Sequence, residues 1–164
     1  MSEQAEIEKI SFKIELYATF WDKPPIVEVF VNNDSQHKSE ITGSEKEPTV
    51  IKFTKDLKAG EKYTLKFART GKIKGQTIVN DKGDILKDQL LHIKSIEIDE
   101  IDLGALVFEG LYTPVYPEPW HSQQVKNNTA PPKSIKNSTS MGHDGTWELQ
   151  FESPFYMWLL ENLY

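Results

Sequence analysis

The chain has no cysteine among its 164 residues. That absence removes disulfide frameworks, zinc-thiolate sites, iron-sulfur clusters and cysteine nucleophiles together. Arginine is almost as scarce. Lysine and arginine total 19 against 25 acidic residues, Arg69 is the single arginine, and the formal charge is −6. Phosphate recognition draws on concentrated positive charge and on guanidinium forks, so nucleic acid is not an expected partner. No run approaches the roughly 18 apolar residues of a membrane span. Met1 to Lys9 is acidic where a secretory signal would be basic and then apolar, so neither membrane insertion nor export is expected. The sequence also lacks a P-loop, a G-x-G-x-x-G turn and a G-x-S-x-G elbow.

What is present is alternation. Ile10, Phe12, Ile14, Leu16 and Ala18 interleave with Ser11, Lys13, Glu15, Tyr17 and Thr19, the period-two signature of a half-buried strand. Pro24-Pro25 breaks it, because proline donates nothing to a ladder. Ile26 to Val31 reads as a second strand ending in the turn-forming Asn32-Asn33-Asp34. Gln36 to Pro48 is polar and reads as a surface connection. Val50 to Phe53 and Tyr63, Leu65 and Phe67 resume the alternation around a turn at Lys58-Ala59-Gly60-Glu61. Gln76 to Asn80 and Ile85 to Leu91 flank a second glycine turn, Asp81-Lys82-Gly83-Asp84. The parity of the apolar residues switches between Ile93 and Ile96, which predicts a β-bulge near Lys94-Ser95.

Length and pattern predict one domain over 1–164. It divides into the main sandwich strands over 10–103, a long Pro/Asn/Ser-rich loop over 104–145, and a final strand and helix over 146–164. The expected fold is all-β, an antiparallel two-sheet β-sandwich of jelly-roll type with one short C-terminal helix, since each half-buried sheet needs a second apolar face to cover it. A barrel is the alternative. Trp147, Leu149 and Phe151 alternate as the last strand. Ser153-Pro154 then reads as an N-cap followed by proline in the first turn of a helix running from Phe155 to Tyr164. That helix is apolar on nearly every side and must be buried, in its own core or in another subunit, which makes Tyr156, Trp158 and Leu159 the interface candidates.

Chemistry-bearing constellations are sparse. His37, His92, His121 and His143 have no i,i+4 partners, His92 is expected to point outward from its strand, and His143-Asp144 reads as turn chemistry. No catalytic residue and no resident cofactor is assigned. Calcium is the one candidate ion, through Asp81, Asp84 and Asp88 or through Glu97, Asp99, Glu100 and Asp102, although the EF-hand spacing fails and a solvated, charged strand edge accounts for the same residues. Trp21, Tyr112, Tyr116 and Trp120 lie in or beside loops and form a candidate aromatic platform for the apolar face of a sugar.

Several stretches carry a family likeness. They are Trp21-Asp22-Lys23-Pro24-Pro25 with Val29-Phe30-Val31-Asn32-Asn33-Asp34, and the middle stretch from Gly71 through Asp81-Lys82-Gly83-Asp84 to Ile98-Asp99-Glu100-Ile101-Asp102-Leu103. Tyr116-Pro117, Trp120, Gly145-Thr146-Trp147-Glu148-Leu149-Gln150-Phe151 and Ser153-Pro154-Phe155 complete the set. The pattern resembles small β-sandwich proteins of tailed bacteriophages, notably the contractile-tailed phages of marine cyanobacteria. These are similar in outline to carbohydrate-binding modules of the calcium-dependent xylan-binding type. The resemblance implies a non-catalytic virion or accessory module assembled in the host cytoplasm, as a decoration, tail or fibre-associated part whose partners are other virion proteins or its own copies. It leaves open a module that binds host surface glycan, with or without calcium. A regulator docking on a host enzyme is a third class of function.

Overall fold

The computed structural model describes residues 6–72, 77–82 and 84–163. Gln76, Gly83 of the second glycine turn, and Tyr164 lie outside the described residues. The strands are β1 (Ile7–Thr19), β2 (Ile26–Val31), β3 (Asp34–Glu40), β4 (Thr49–Lys58), β5 (Lys62–Thr70), β6 (Ile78–Val79), β7 (Ile85–Lys87), β8 (Leu90–Ile98) and β9 (Ile101–Asp102). A 3-10 turn (Gly104–Glu109), β10 (Leu111–Pro114), α1 (Trp120–Lys126), β11 (Ile135–Lys136), β12 (Ser140–Met141), β13 (Gly145–Glu152) and α2 (Phe155–Leu163) follow.

Two antiparallel sheets face each other. One has the order β12-β8-β1-β4 with β9 attached to β8, the other β11-β10-β13-β5-β2-β3, and β6-β7 forms a separate hairpin. The alternation read from the sequence is the inward face of these sheets. Phe12, Ile14 and Leu16 of β1, Ile96 and Ile98 of β8, Val27, Val29 and Val31 of β2, Leu65 and Phe67 of β5, and Trp147 of β13 are all buried. The bulge is where it was expected: Glu15 pairs with Ser95 and Leu16 with Ile93, leaving Lys94 as the extra residue.

Three stretches differ from the sequence reading. Part of the expected surface connection is β3, an edge strand with no buried residue, so neither face carries an apolar period to read. The expected loop over 104–145 holds the 3-10 turn, which buries Leu106 and Val107, as well as β10, α1, β11 and β12. These elements are two to seven residues long, too short for a period to show. α1 buries nothing, so no apolar stripe marks it. At α2 the Ser153 hydroxyl is not the cap. It donates to Glu8 Oε2, and the same carboxylate accepts the Phe155 N–H at 3.2 Å. A carboxylate at a helix N-terminus meets both the free N–H groups and the positive end of the helix dipole.

α2 closes one end of the sandwich. Phe155 and Leu159 are buried in the chain's own core, and Trp158 packs edge-on against Phe151 at 6.2 Å. At the other side of the same core Gly110 admits the Trp147 indole: a Cβ built there lies 2.1 Å from Trp147 Cζ2. Gly110→Ala therefore overpacks the core, and the expected loss is about 1–3 kcal/mol in urea unfolding, with near-UV circular dichroism reporting a displaced Trp147.

Candidate functional site

The end of the sandwich opposite α2 is polar, and it is built around the single arginine. Arg69 continues the inward parity of Tyr63, Leu65 and Phe67 and is only 1% exposed. Its strand neighbours at that level are Val27 of β2 and Gly145 of β13. A buried guanidinium must be paired or hydrogen-bonded. Here Nη2 donates to the Gln89 backbone carbonyl at 2.8 Å and to Gln89 Oε1 at 2.9 Å, and Nη1 faces Asp144 Oδ1 at 3.7 Å. Gln89 is itself fully buried and donates through Nε2 to the Lys23 carbonyl at 2.8 Å.

Around this pair lies a second layer. Asp144 Oδ1 accepts the Lys72 N–H at 3.0 Å, and the Asp144 carbonyl accepts the Val115 N–H at 2.6 Å. Lys72 Nζ donates to Asp88 Oδ1 at 3.1 Å and to the Gly142 carbonyl. Asp88 also receives Thr77 Oγ1 and the Gln89 N–H. Two cations thus face two carboxylates. Burial pushes Asp144 above the usual carboxylate range, against the Lys72 N–H and the Arg69 charge. Burial also acts upward on Asp88, but the donors Thr77, Gln89 and Lys72 outweigh it and hold the group below that range. Burial lowers the Arg69 guanidinium from its ordinary value, with Asp144 opposing.

Over this layer stand rings. Tyr116 meets Trp120 at 5.8 Å between centroids, His121 at 5.5 Å and His143 edge-on at 5.1 Å, while Trp120 and His143 stack at 6.4 Å. Trp120 is 40% exposed. Tyr116 is fastened to the following segment by its hydroxyl, which donates to the Pro132 carbonyl. His143 is half-buried, and burial together with the charges of Lys72 and Arg69 lowers its pKa.

Of the four platform residues expected from the sequence, the structure brings Tyr116 and Trp120 together. Tyr112 is 2% exposed and is no platform. Its hydroxyl donates to the His143 carbonyl at 2.7 Å and accepts the His143 N–H at 2.9 Å, and burial raises its pKa to about 12. Trp21 lies at the same end, with Lys87 Nζ 4.8 Å from its ring centroid. Of the interface candidates, Leu159 and the half-buried Trp158 belong to the core, and Tyr156 remains outside at 50% exposure. His92 points outward as expected, stacked on Tyr17 at 4.6 Å.

The acidic residues weighed for calcium do not converge. Asp88 is bound to Lys72, and the Asp84 N–H and side chain are tied to Asn80. Asp99 and Glu100 form the two-residue turn between β8 and β9, both with positive φ. Among the described residues, no group of three or more His, Asp or Glu side chains could hold a metal ion.

No protein-family model and no curated protein matches the chain. Similar solved structures include the selenomethionine form of vCBM60, from work on two families of calcium-dependent carbohydrate-binding modules. It matches at 12% identity and a TM-score of 0.49 over 85% of this chain and 88% of that one. vCBM60 in complex with galactobiose matches at 12% identity and a TM-score of 0.48, over 84% and 95%. The likeness is one of fold. It transfers no ligand and no residue role.

The sequence reading missed Arg69, Gln89 and Asp144. A signal for the first two was present: Arg69 keeps step with Leu65 and Phe67, and Gln89 keeps step with Leu91 and Ile93, so both fall on the core-facing parity.

The opposite shifts of the two carboxylates have a measurable sign. Asp88 titrates in the folded state below its ordinary 3.8. The stability it contributes is therefore fully present above that value and is lost as pH falls through the folded pKa. Asp144, raised, works the other way: its contribution falls as pH rises from the ordinary value through the folded one. Asp88→Asn is expected to be less stable than the parent at neutral pH, with the gap closing below pH 3.8, which urea midpoints across the acid range measure.

Proposed function

We propose that the chain is a non-catalytic carbohydrate-binding module whose ligand stacks on Trp120 and Tyr116. The observation that carries this reading is the exposed Trp120 ring, grouped with Tyr116 and His143 at one end of a sandwich and seated on a polar layer. A planar ring offers dispersion and C–H contacts to the apolar face of a pyranose, and the half-buried Asp144 and His143 beside it supply polar atoms at the edge of that face. The layer beneath holds equal numbers of cations and carboxylates, so attraction rests on stacking and hydrogen bonds more than on net charge. Host surface glycan is the proposed ligand class, and among the described residues no cluster of acidic side chains is placed to hold calcium beside it.

Native-gel retardation and calorimetry against a panel of host envelope polysaccharides test this reading, with and without a chelator. Binding is expected to at least one polysaccharide, and Trp120→Ala is expected to lower affinity by about tenfold or more, corresponding to about 1.4 kcal/mol. No shift on any polysaccharide defeats the reading.

A second reading is favoured by α2. Its outer face leaves Tyr156, Met157 and Leu160 exposed, Met157 by 60%. Isolated exposed apolar residues are ordinary, but three on one short helix suit a protein contact. We infer from this a non-catalytic module that meets other proteins or its own copies through α2; the resemblance carried by the sequence would make those partners virion proteins and the chain a decoration, tail or fibre-associated part of a phage particle. Mass spectrometry of purified particles is expected to find the protein at stoichiometric levels, and its absence from particles removes this reading while leaving the first intact.

A further inference from the structure

The ring platform is tied to the sandwich at Val115 and at His143-Asp144, and Asp144 faces one buried side chain, Arg69. Tyr116 and Trp120 follow β10 in a segment whose first residue, Val115, is bonded to the Asp144 carbonyl at 2.6 Å. His143, on which both rings rest, precedes Asp144 directly. The Asp144 carboxylate holds the Lys72 N–H and faces Arg69, and the other side of the Arg69 guanidinium holds Gln89. Gln89 in turn receives no freedom of its own: its amide nitrogen donates to the carbonyls of Lys23 at 2.8 Å and Gly71 at 3.4 Å. Four of the connections at this end meet in one network: β1 to β2 at Lys23, β5 to β6 at Gly71 and Lys72, β7 to β8 at Gln89, and β12 to β13 at Asp144. Each is tied directly or through one intermediate to the same guanidinium.

We propose that Arg69 is the positioning residue of the ring platform: its buried guanidinium, through Gln89 and Asp144, fixes the stems of four loops and thereby sets the placement of Tyr116, Trp120 and His143 before any ligand arrives. The stacking of a ligand rests on the glycan reading above, whereas the fixing of the loop stems does not. An apolar side chain at position 69 would still face the core beside Val27. It would give Gln89 and Asp144 nothing to hold. Lysine would keep the charge but replace a planar fork with a single ammonium, which cannot bridge Gln89 and Asp144 in the same way.

The test compares the parent with Arg69→Met, Arg69→Lys and Asp144→Asn. Asp144→Asn keeps an oxygen for the Lys72 N–H while removing the charge that faces Arg69, and it serves if Arg69→Met fails to fold. Two readouts need no ligand. Amide exchange at Lys72 and Val115 reports the loop stems, and NMR titration of the His143 ring reports the charge beneath the platform. In Arg69→Met both amides are expected to exchange about tenfold faster or more, a ratio corresponding to about 1.4 kcal/mol, with β1 and β2 core amides less affected. The His143 pKa is expected to rise toward its ordinary value, because Arg69 is one of the charges that lower it. Arg69→Lys is expected to leave His143 close to the parent value without restoring amide protection, which separates placement from charge. Asp144→Asn is expected to quicken the Val115 amide.

Glycan affinity, measured on a polysaccharide the parent binds, should fall with the loss of amide protection across the three variants. Unchanged exchange at Lys72 and Val115 in both Arg69→Met and Asp144→Asn, or in Asp144→Asn alone if Arg69→Met does not fold, overturns the proposal. So does full restoration of protection by Arg69→Lys. If the parent binds no polysaccharide the stacking reading falls, and the exchange and titration results still decide the role of Arg69.

Discussion

A guanidinium 1% exposed at the mouth of an apolar sandwich is the constraint around which this end of the molecule is arranged. Removing a cation from water costs several kcal/mol unless the protein replaces the lost hydration with charge and hydrogen bonds. Arg69 obtains that replacement unevenly. Among the described residues, Nη2 has two acceptors on Gln89, Nη1 has only the longer approach to Asp144, and Nε has no hydrogen-bond partner. Such a group tolerates little displacement of the partners it has. The loops carrying Gln89 and Asp144 are thereby bound to β5 much more tightly than loops of their composition would be alone.

The two ends of the sandwich solve the same geometrical problem with different chemistry. Two sheets packed face to face leave the core open where the strands stop. At the α2 end it is sealed by Phe155, Leu159 and the edge of Trp158, and the helix is anchored by Glu8 of β1 through the Phe155 N–H and the Ser153 hydroxyl. That seal is apolar, non-directional and tolerant of small shifts. At the Arg69 end the seal is directional, because hydrogen bonds to a planar fork fix angle as well as distance. A surface that has to hold rings in a defined arrangement gains from standing on the second kind of seal, and Tyr116, Trp120 and His143 do stand there.

How much of this was legible follows from what sequence periodicity can carry. The strands β1, β2, β5, β8 and β13 were readable because each buries one face and exposes the other, and even the bulge at Lys94 showed itself as a change of parity between Ile93 and Ile96. β3 was not readable, since an edge strand with no buried residue has no alternation. The elements between Gly104 and Gly145 were lost because strands of two to four residues are shorter than the pattern that would reveal them. Capping of α2 by Glu8 could not be seen at all, as 147 residues separate the carboxylate from the amide it holds. The grouping of the rings was half legible. The loop-flanked aromatics Trp21, Tyr112, Tyr116 and Trp120 stood out together in the sequence, but only the structure separates the buried Tyr112 from Tyr116 and Trp120, which meet. Arg69 and Gln89 were legible in principle, as polar residues in step with apolar ones, and that mismatch is the signature of a buried polar site.

The charge balance of the polar layer bears on how the rings would be used. Arg69 and Lys72 face Asp88 and Asp144, so the charges of the layer are paired within it. Under the proposed glycan reading, recognition would then rest on short-range stacking more than on long-range steering. Stacking is strong only when the rings are already aligned, since each side chain or loop ordered at the moment of binding subtracts from the affinity. An end plate held by a buried, directional ion network transfers that ordering cost from binding to folding. On the proposed glycan reading, the network that fixes this end of the sandwich is also what would let so small a ring cluster hold a ligand.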